Sequence, residues 1–152
     1  MEKNDSYFMF EAIKEAKKGL LKNEVPIGAV IVKNNQIISK AHNKTETSKS
    51  PFAHAEILAI EKAVKKVGDW RLGGCTLYVT KEPCVMCMGA ICSSKITRVV
   101  FGAEEKNNNE WTNKDLLSKN ILNHKPQILG GVEKAECQVL LLQFFKDIRK
   151  IK

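Results

Sequence analysis

Apolar positions recur along this chain with two different periods. From 5 to 22, Phe8, Ala12, Ala16 and Leu20 are spaced by four with Lys and Glu on the other face, which predicts an amphipathic helix. Residues 25–32, VPIGAVIV, are a continuous apolar and β-branched run; Lys33-Asn34-Asn35-Gln36 then turns the chain and IISKAHN returns, so a hairpin is predicted. Thr45 to Pro51 is polar and reads as a loop. Ile57, Leu58, Ile60, Ala63 and Val64 follow with helical spacing, placing a helix over about 53–67. After Gly73-Gly74, CTLYVT (75–80) predicts a strand, 84–93 a helix and ITRVVFG (96–102) another strand. Residues 104–120 are polar and show neither period. A short strand at 126–129 and a long amphipathic helix at 133–149, carrying Leu140, Leu141, Phe144, Phe145 and Ile148, complete the chain. A helix, a hairpin and then alternating helices and strands imply an α/β sandwich around a mixed sheet.

The 152 residues contain no repeat, no Ser/Gly-rich linker and no low-complexity block, so 1–152 is expected to form a single domain able to bury a core. No stretch approaches the roughly 18 apolar residues of a spanning helix. The opening MEKNDSYFMF lacks the apolar core of an export signal, so no membrane partner and a cytoplasmic location are expected. The formal charge of +8 permits a polyanionic partner such as nucleic acid without establishing one, because Lys supplies nearly all of the 25 basic residues and most of these are expected to be solvated surface. Five cysteines, an odd number, argue against a disulfide framework. Cys75, Cys92 and Cys137 have apolar neighbours and are expected in the core.

The remaining pair, Cys84 and Cys87, opens a predicted helix directly after a strand, in the run Pro83-Cys84-Val85-Met86-Cys87. Spacing i and i+3 puts both sulfurs on one side, and the positive end of the helix favours the thiolates that bind metal. His54-Ala55-Glu56 opens another helix and offers an imidazole as a third ligand. Structural zinc is normally closed by four protein ligands, whereas three ligands leave a position for water. No fourth ligand stands at metal-like spacing. Glu56 can face the same cavity without ligating, take a proton from water and return it to a leaving group. Acid and base roles in one residue suit hydrolytic deamination of an amino-heterocycle. Taken singly, a C-x-x-C after a strand also fits a redox pair, and Glu56 a first-turn acid. The redox reading gives no reason for the His-x-Glu.

Beyond this H-x-E…P-C-x-x-C signature, the segments EVPIGAVIV, HNK, AHAEILAI, TLYVTKEPCVMCMGAI, RVVFGA, LNH and GVEKAECQVLLLQFF resemble the bacterial tRNA-specific adenosine deaminases of the cytidine/deoxycytidylate deaminase superfamily. The resemblance covers nearly the whole chain. It implies a cytidine-deaminase-like three-layer α/β/α sandwich with a mixed five-stranded sheet, a homodimer, one zinc ion per subunit, and conversion of adenosine to inosine at the wobble position of a tRNA anticodon loop. It makes His54, Cys84 and Cys87 the zinc ligands and Glu56 the proton shuttle. Asn43 would hold the purine through its amide, the backbone around Val25-Pro26 and Glu82-Pro83 would line the base pocket, and Asn123 and His124 would contact the nucleotide at and beside the flipped base. DNA is not expected as a partner. The basic tail, Lys146, Arg149, Lys150 and Lys152 against Asp147, is expected to touch phosphates.

One segment departs from the family. After FGA, the usual Asp, Lys and run of small residues is replaced by EEKNNNEWTNKDLL, with Glu105 and Lys106 as stand-ins and a bulky Trp111 expected to anchor the loop rather than stack on a base. The departure keeps open a second substrate class, a free base such as guanine or another small aminated heterocycle. A non-catalytic RNA-binding partner subunit is a third reading, which the intact Glu56 disfavours.

Overall fold

The structure, a computed structural model, describes residues 2–105, 113, 117 and 122–151. The expectations for Lys106, Trp111 and Lys152 lie outside the described residues.

Helix α1 (Asp5–Leu20) begins at Asn4, whose side chain accepts from the Tyr7 N–H, and carries Asp5 in its first turn and Lys17 and Lys18 in its last. Cap and charges satisfy the helix ends and its dipole. Strands β1 (Gly28–Lys33) and β2 (Gln36–His42) form the hairpin. Asn34 and Asn35 turn it with φ of 52° and 61°, left-handed values that Asn tolerates better than most residues. A short helix α2 (Thr45–Ser48) and helix α3 (Ala55–Val67) lead to β3 (Cys75–Lys81). Helix α4 (Val85–Ser93), strands β4 (Arg98–Ala103) and β5 (Gln127–Leu129), and helix α5 (Lys134–Ile151) complete the described elements.

The five strands lie in the order β2-β1-β3-β4-β5. β1 is antiparallel to β2 and β3, while β3, β4 and β5 run parallel, so the sheet is mixed as expected. Alternation along the strands divides the core. Ala29, Ile31, Leu77, Val79 and Val99 pack with residues of α3 and α4 on one face. Val30, Val32, Tyr78 and Val100 pack with Phe8, Met9 and Ala12 of α1 and Cys137 of α5 on the other. Two helical layers thus sandwich the sheet, and Cys75, Cys92 and Cys137 are buried within it. The approach of α1 is close: a Cβ on Gly28 would stand 2.0 Å from the Ala12 carbonyl oxygen, so only glycine fits there.

Two local expectations are corrected. The segment 45–51 is not all loop, because Thr45–Ser48 makes one helical turn that ends at Lys49 with φ 48°. None of its residues is buried, so no apolar period announces it. The strand expected from 96 starts at Arg98, since the Thr97 N–H bonds the Cys75 carbonyl before the ladder with β3 begins.

Candidate active site

β3 ends at Lys81, and Glu82-Pro83 carries the chain directly into α4, with Cys84 as its N-cap residue. His54 is the N-cap residue of α3. Both have extended backbone, and neither side chain caps its own helix. Instead they turn toward one another. His54 Nδ1 lies 3.6 Å from Cys84 Sγ and 3.4 Å from Cys87 Sγ, and the three donor atoms are all within 4.8 Å of each other. Tetrahedral zinc, with bonds of about 2.1 Å to nitrogen and 2.3 Å to sulfur, separates such donors by about 3.6–3.8 Å. The donor set and its spacing fit zinc. Two helix N-termini aim their positive ends at the same point, which stabilises thiolate there. The Cys87 thiol and backbone N–H, with His54, bring Cys84 down to about 5 despite its partial burial. Cys84 beside it and burial push Cys87 up, so the paired thiols together hold one thiolate more readily than two.

Glu56, in the first turn of α3, is 4% exposed. Burial, reinforced by Cys84, pushes its carboxyl above the usual carboxylate range, as suits a group that must hold a proton during a reaction. It faces a cavity of about 230 Å³ lined by Val25, Asn43, Thr45, His54, Lys81 and, from α5, Phe145. Asn43 is buried; its backbone N–H donates to the Ile27 carbonyl and its Nδ2 to Thr45 Oγ1.

Val25, Asn43, His54, Cys84, Cys87 and Glu56 therefore converge. Pro26, Glu82 and Pro83 are not among the described residues lining the cavity. Pro26 is buried, and the Glu82 carboxylate turns away to accept from the Glu105 N–H and Asn113 Nδ2, which also donates to the Pro83 carbonyl. Asn123 and His124 are not brought to the cavity either. His124 Nε2 donates to the Ile96 carbonyl at 2.7 Å. The reason is topological. Their segment feeds β5, which runs parallel to β4 and so starts at the end of the sheet opposite the one where β3 delivers Cys84. α4 spans that gap, about 13 Å for nine residues.

Sequence reasoning missed Thr45, Lys81 and Phe145. Phe145 had one readable signal: adjacent helical residues point about 100° apart, so Phe144 and Phe145 cannot both face the core. Phe144 is buried and Phe145 is not.

The model of the cytidine and deoxycytidylate deaminase zinc-binding region matches residues 2–103, and the chain belongs to this family of zinc-dependent hydrolytic deaminases. Within it, the chain is 50% identical to the tRNA-specific adenosine deaminase of Bacillus subtilis (strain 168) over 149 residues, which is 97% of this chain and 92% of that protein. A solved tRNA:A34 deaminase, from a study of A-to-I editing at the wobble position, is 36% identical, with a TM-score of 0.84 over 90% of this chain and 99% of that one. A solved guanine deaminase from Bacillus subtilis is 37% identical with a TM-score of 0.65, but covers only 78% of this chain and 71% of its own.

Proposed function

We propose that this protein deaminates adenosine to inosine at the wobble position of a tRNA anticodon loop, with His54, Cys84 and Cys87 holding one zinc ion. The observation that carries the polymer reading is the shape of the site. A cavity of about 230 Å³ is small beside the roughly 300–1,000 Å³ of typical ligand pockets, and suits a base better than a whole nucleotide. It shares Val25 and Phe145 with a neighbouring groove of about 550 Å³, lined also by Lys22, Asn23, Thr47 and Ile148. A base flipped from an unpaired loop can enter the first while its neighbours lie in the second. Full-length similarity to tRNA deaminases supports the same choice over a free base.

Zinc supplies a Lewis acid that lowers the pKa of water at the site. Glu56 takes the proton of the attacking water and gives it to N1 of the purine. A second proton passes through the same carboxyl to the exocyclic nitrogen. The C6–N bond breaks, oxygen remains on C6 and ammonia leaves. Asn43 orients the base, since an amide both donates and accepts.

The test is zinc-loaded protein with an anticodon stem-loop carrying adenosine at the wobble position, digested afterwards and assayed for inosine. Wild type should produce inosine, and Glu56→Ala should retain zinc but lose about 10²–10⁴-fold in rate. Conversion of free guanine with no inosine from the stem-loop would replace this reading by the free-base one.

In the same reading the enzyme is a cytoplasmic homodimer. Its five cysteines are free, and no described helix is long and apolar enough to cross a membrane. α4 carries no charged residue and exposes Val85 beside Cys84, and Phe52, two residues before His54, is exposed as well. Such an uncharged, apolar surface suits a second copy. Light scattering should give twice the 17.1 kDa chain mass, and a strictly monomeric active enzyme would refute the assembly.

A further inference from the structure

Glu24 is a charged residue with no exposed surface, and the deamination chemistry makes no use of it. It sits in the turn after α1, where its own N–H donates to the Gly19 carbonyl at 3.0 Å. Its carboxylate reaches across to the segment after β2. There it accepts the Glu46 N–H at 3.0 Å, the Thr47 N–H at 2.7 Å and the Thr47 hydroxyl. Burial opposes a charge at this position, yet the Thr47 and Glu46 donors, with His42 nearby, hold the carboxyl below the usual carboxylate range. The group is ionised and charge-assisted, the strong kind of hydrogen-bonding partner.

Helix α2 needs such a partner. Its four residues bury nothing, and its N-cap makes no side-chain bond. An isolated turn of this kind is unstable in water. Thr45, its first residue, lines the catalytic cavity and accepts from Asn43 Nδ2 at 3.2 Å. Val25, next to Glu24, lines the same cavity.

We propose that Glu24 is a positioning residue for substrate binding, clamping the α2 turn to the loop after α1 and so fixing the Val25–Asn43–Thr45 wall that grips the base. The proposal rests on the reading that this cavity receives the substrate base. The clamp touches neither the zinc ligands nor Glu56, so it governs binding rather than the chemical step.

Glu24→Gln places an amide where backbone N–H donors converge and opens the clamp. Thr47→Val removes one donor and leaves the rest. With the wobble-adenosine stem-loop, Glu24→Gln should raise KM on the order of tenfold with kcat changed less than about twofold, and Thr47→Val should move KM the same way by less. Hydrogen exchange at the Glu46 and Thr47 amides should accelerate in Glu24→Gln, a readout that needs no activity. In an Asn43→Ala background, adding Glu24→Gln should raise KM by clearly less than it does in wild type, because part of the effect passes from Thr45 to Asn43. A lower kcat at unchanged KM, or independent additive effects with Asn43→Ala, would overturn the proposal and leave Glu24 a folding residue. Failure of wild type to act on the stem-loop would instead refute the substrate, while faster exchange at 46 and 47 would still report the clamp.

Discussion

At the residue scale, Asp5 shows how one side chain ties three elements together. Its carboxylate accepts from both Arg98 Nη atoms, at 2.8 and 2.7 Å, and from the Tyr78 hydroxyl at 2.7 Å, joining the start of α1 to β3 and β4. The Arg98 hydrogen bonds, against a smaller opposing effect of burial, lower the Asp5 pKa from 3.8. A carboxyl whose folded pKa is depressed binds fewer protons in the folded state than in the unfolded. Its contribution is therefore present above the unfolded value and lost as the pH falls through the folded one. Asp5→Asn should cost roughly 1–2 kcal/mol at pH 7, a value discounted because both partners are about 30% exposed. Urea melts at pH 7 and at pH 2–3 check this: the gap between wild type and variant should shrink toward zero in acid. An undiminished gap there would place the cost in shape rather than charge.

At the scale of elements, what was legible in the sequence is what has a local period. α1, α3, the hairpin and β3 come from spacing alone, because each buries one face of a regular element. The cluster of His54, Cys84 and Cys87 with Glu56 beside it was equally legible, since His54 and Glu56 share one turn and Cys84 and Cys87 another. The sequence showed these motifs opening helices. It did not show that His54 and Cys84 stand at N-cap positions with their side chains released from capping, which is what lets them meet. Of the walls, Val25 and Asn43 came with the resemblance, while Thr45, Lys81 and Phe145 were not legible. α2 has no buried residue, and its order comes from Glu24, more than twenty positions earlier. Phe145 reaches the cavity from the last helix. Asn123 and His124 do not line the cavity for a related reason: the direction of β5 decides at which end of the sheet they stand, and no spacing encodes that direction. The resemblance supplied their role but not their place.

At the scale of the whole molecule, the formal charge of +8 does not by itself locate a binding face. Several lysines are neutralised locally, as in Lys14–Glu11, Lys18–Glu15 and Lys81–Glu105. The relevant cations are those bordering the groove beside the catalytic cavity. Lys22 lines it, and Arg149 is exposed on α5 one turn after Phe145, which with Phe144 and Ile148 lines the groove. Each such contact to a phosphate releases condensed counterions, and for single-stranded RNA the slope of log K against log salt is about −0.7 per contact. Two contacts therefore predict a slope of about −1.4 for stem-loop binding. Lys22→Ala and Arg149→Ala should each weaken binding at low salt and make the slope shallower by about 0.7, while kcat at saturating RNA stays near the wild-type value. A lysine remote from the groove, such as Lys66 at the far end of α3, should leave the slope unchanged when replaced by alanine. If Lys66→Ala flattened the slope as much as Arg149→Ala, the attraction would be diffuse over the surface. The groove would then not be the path of the RNA.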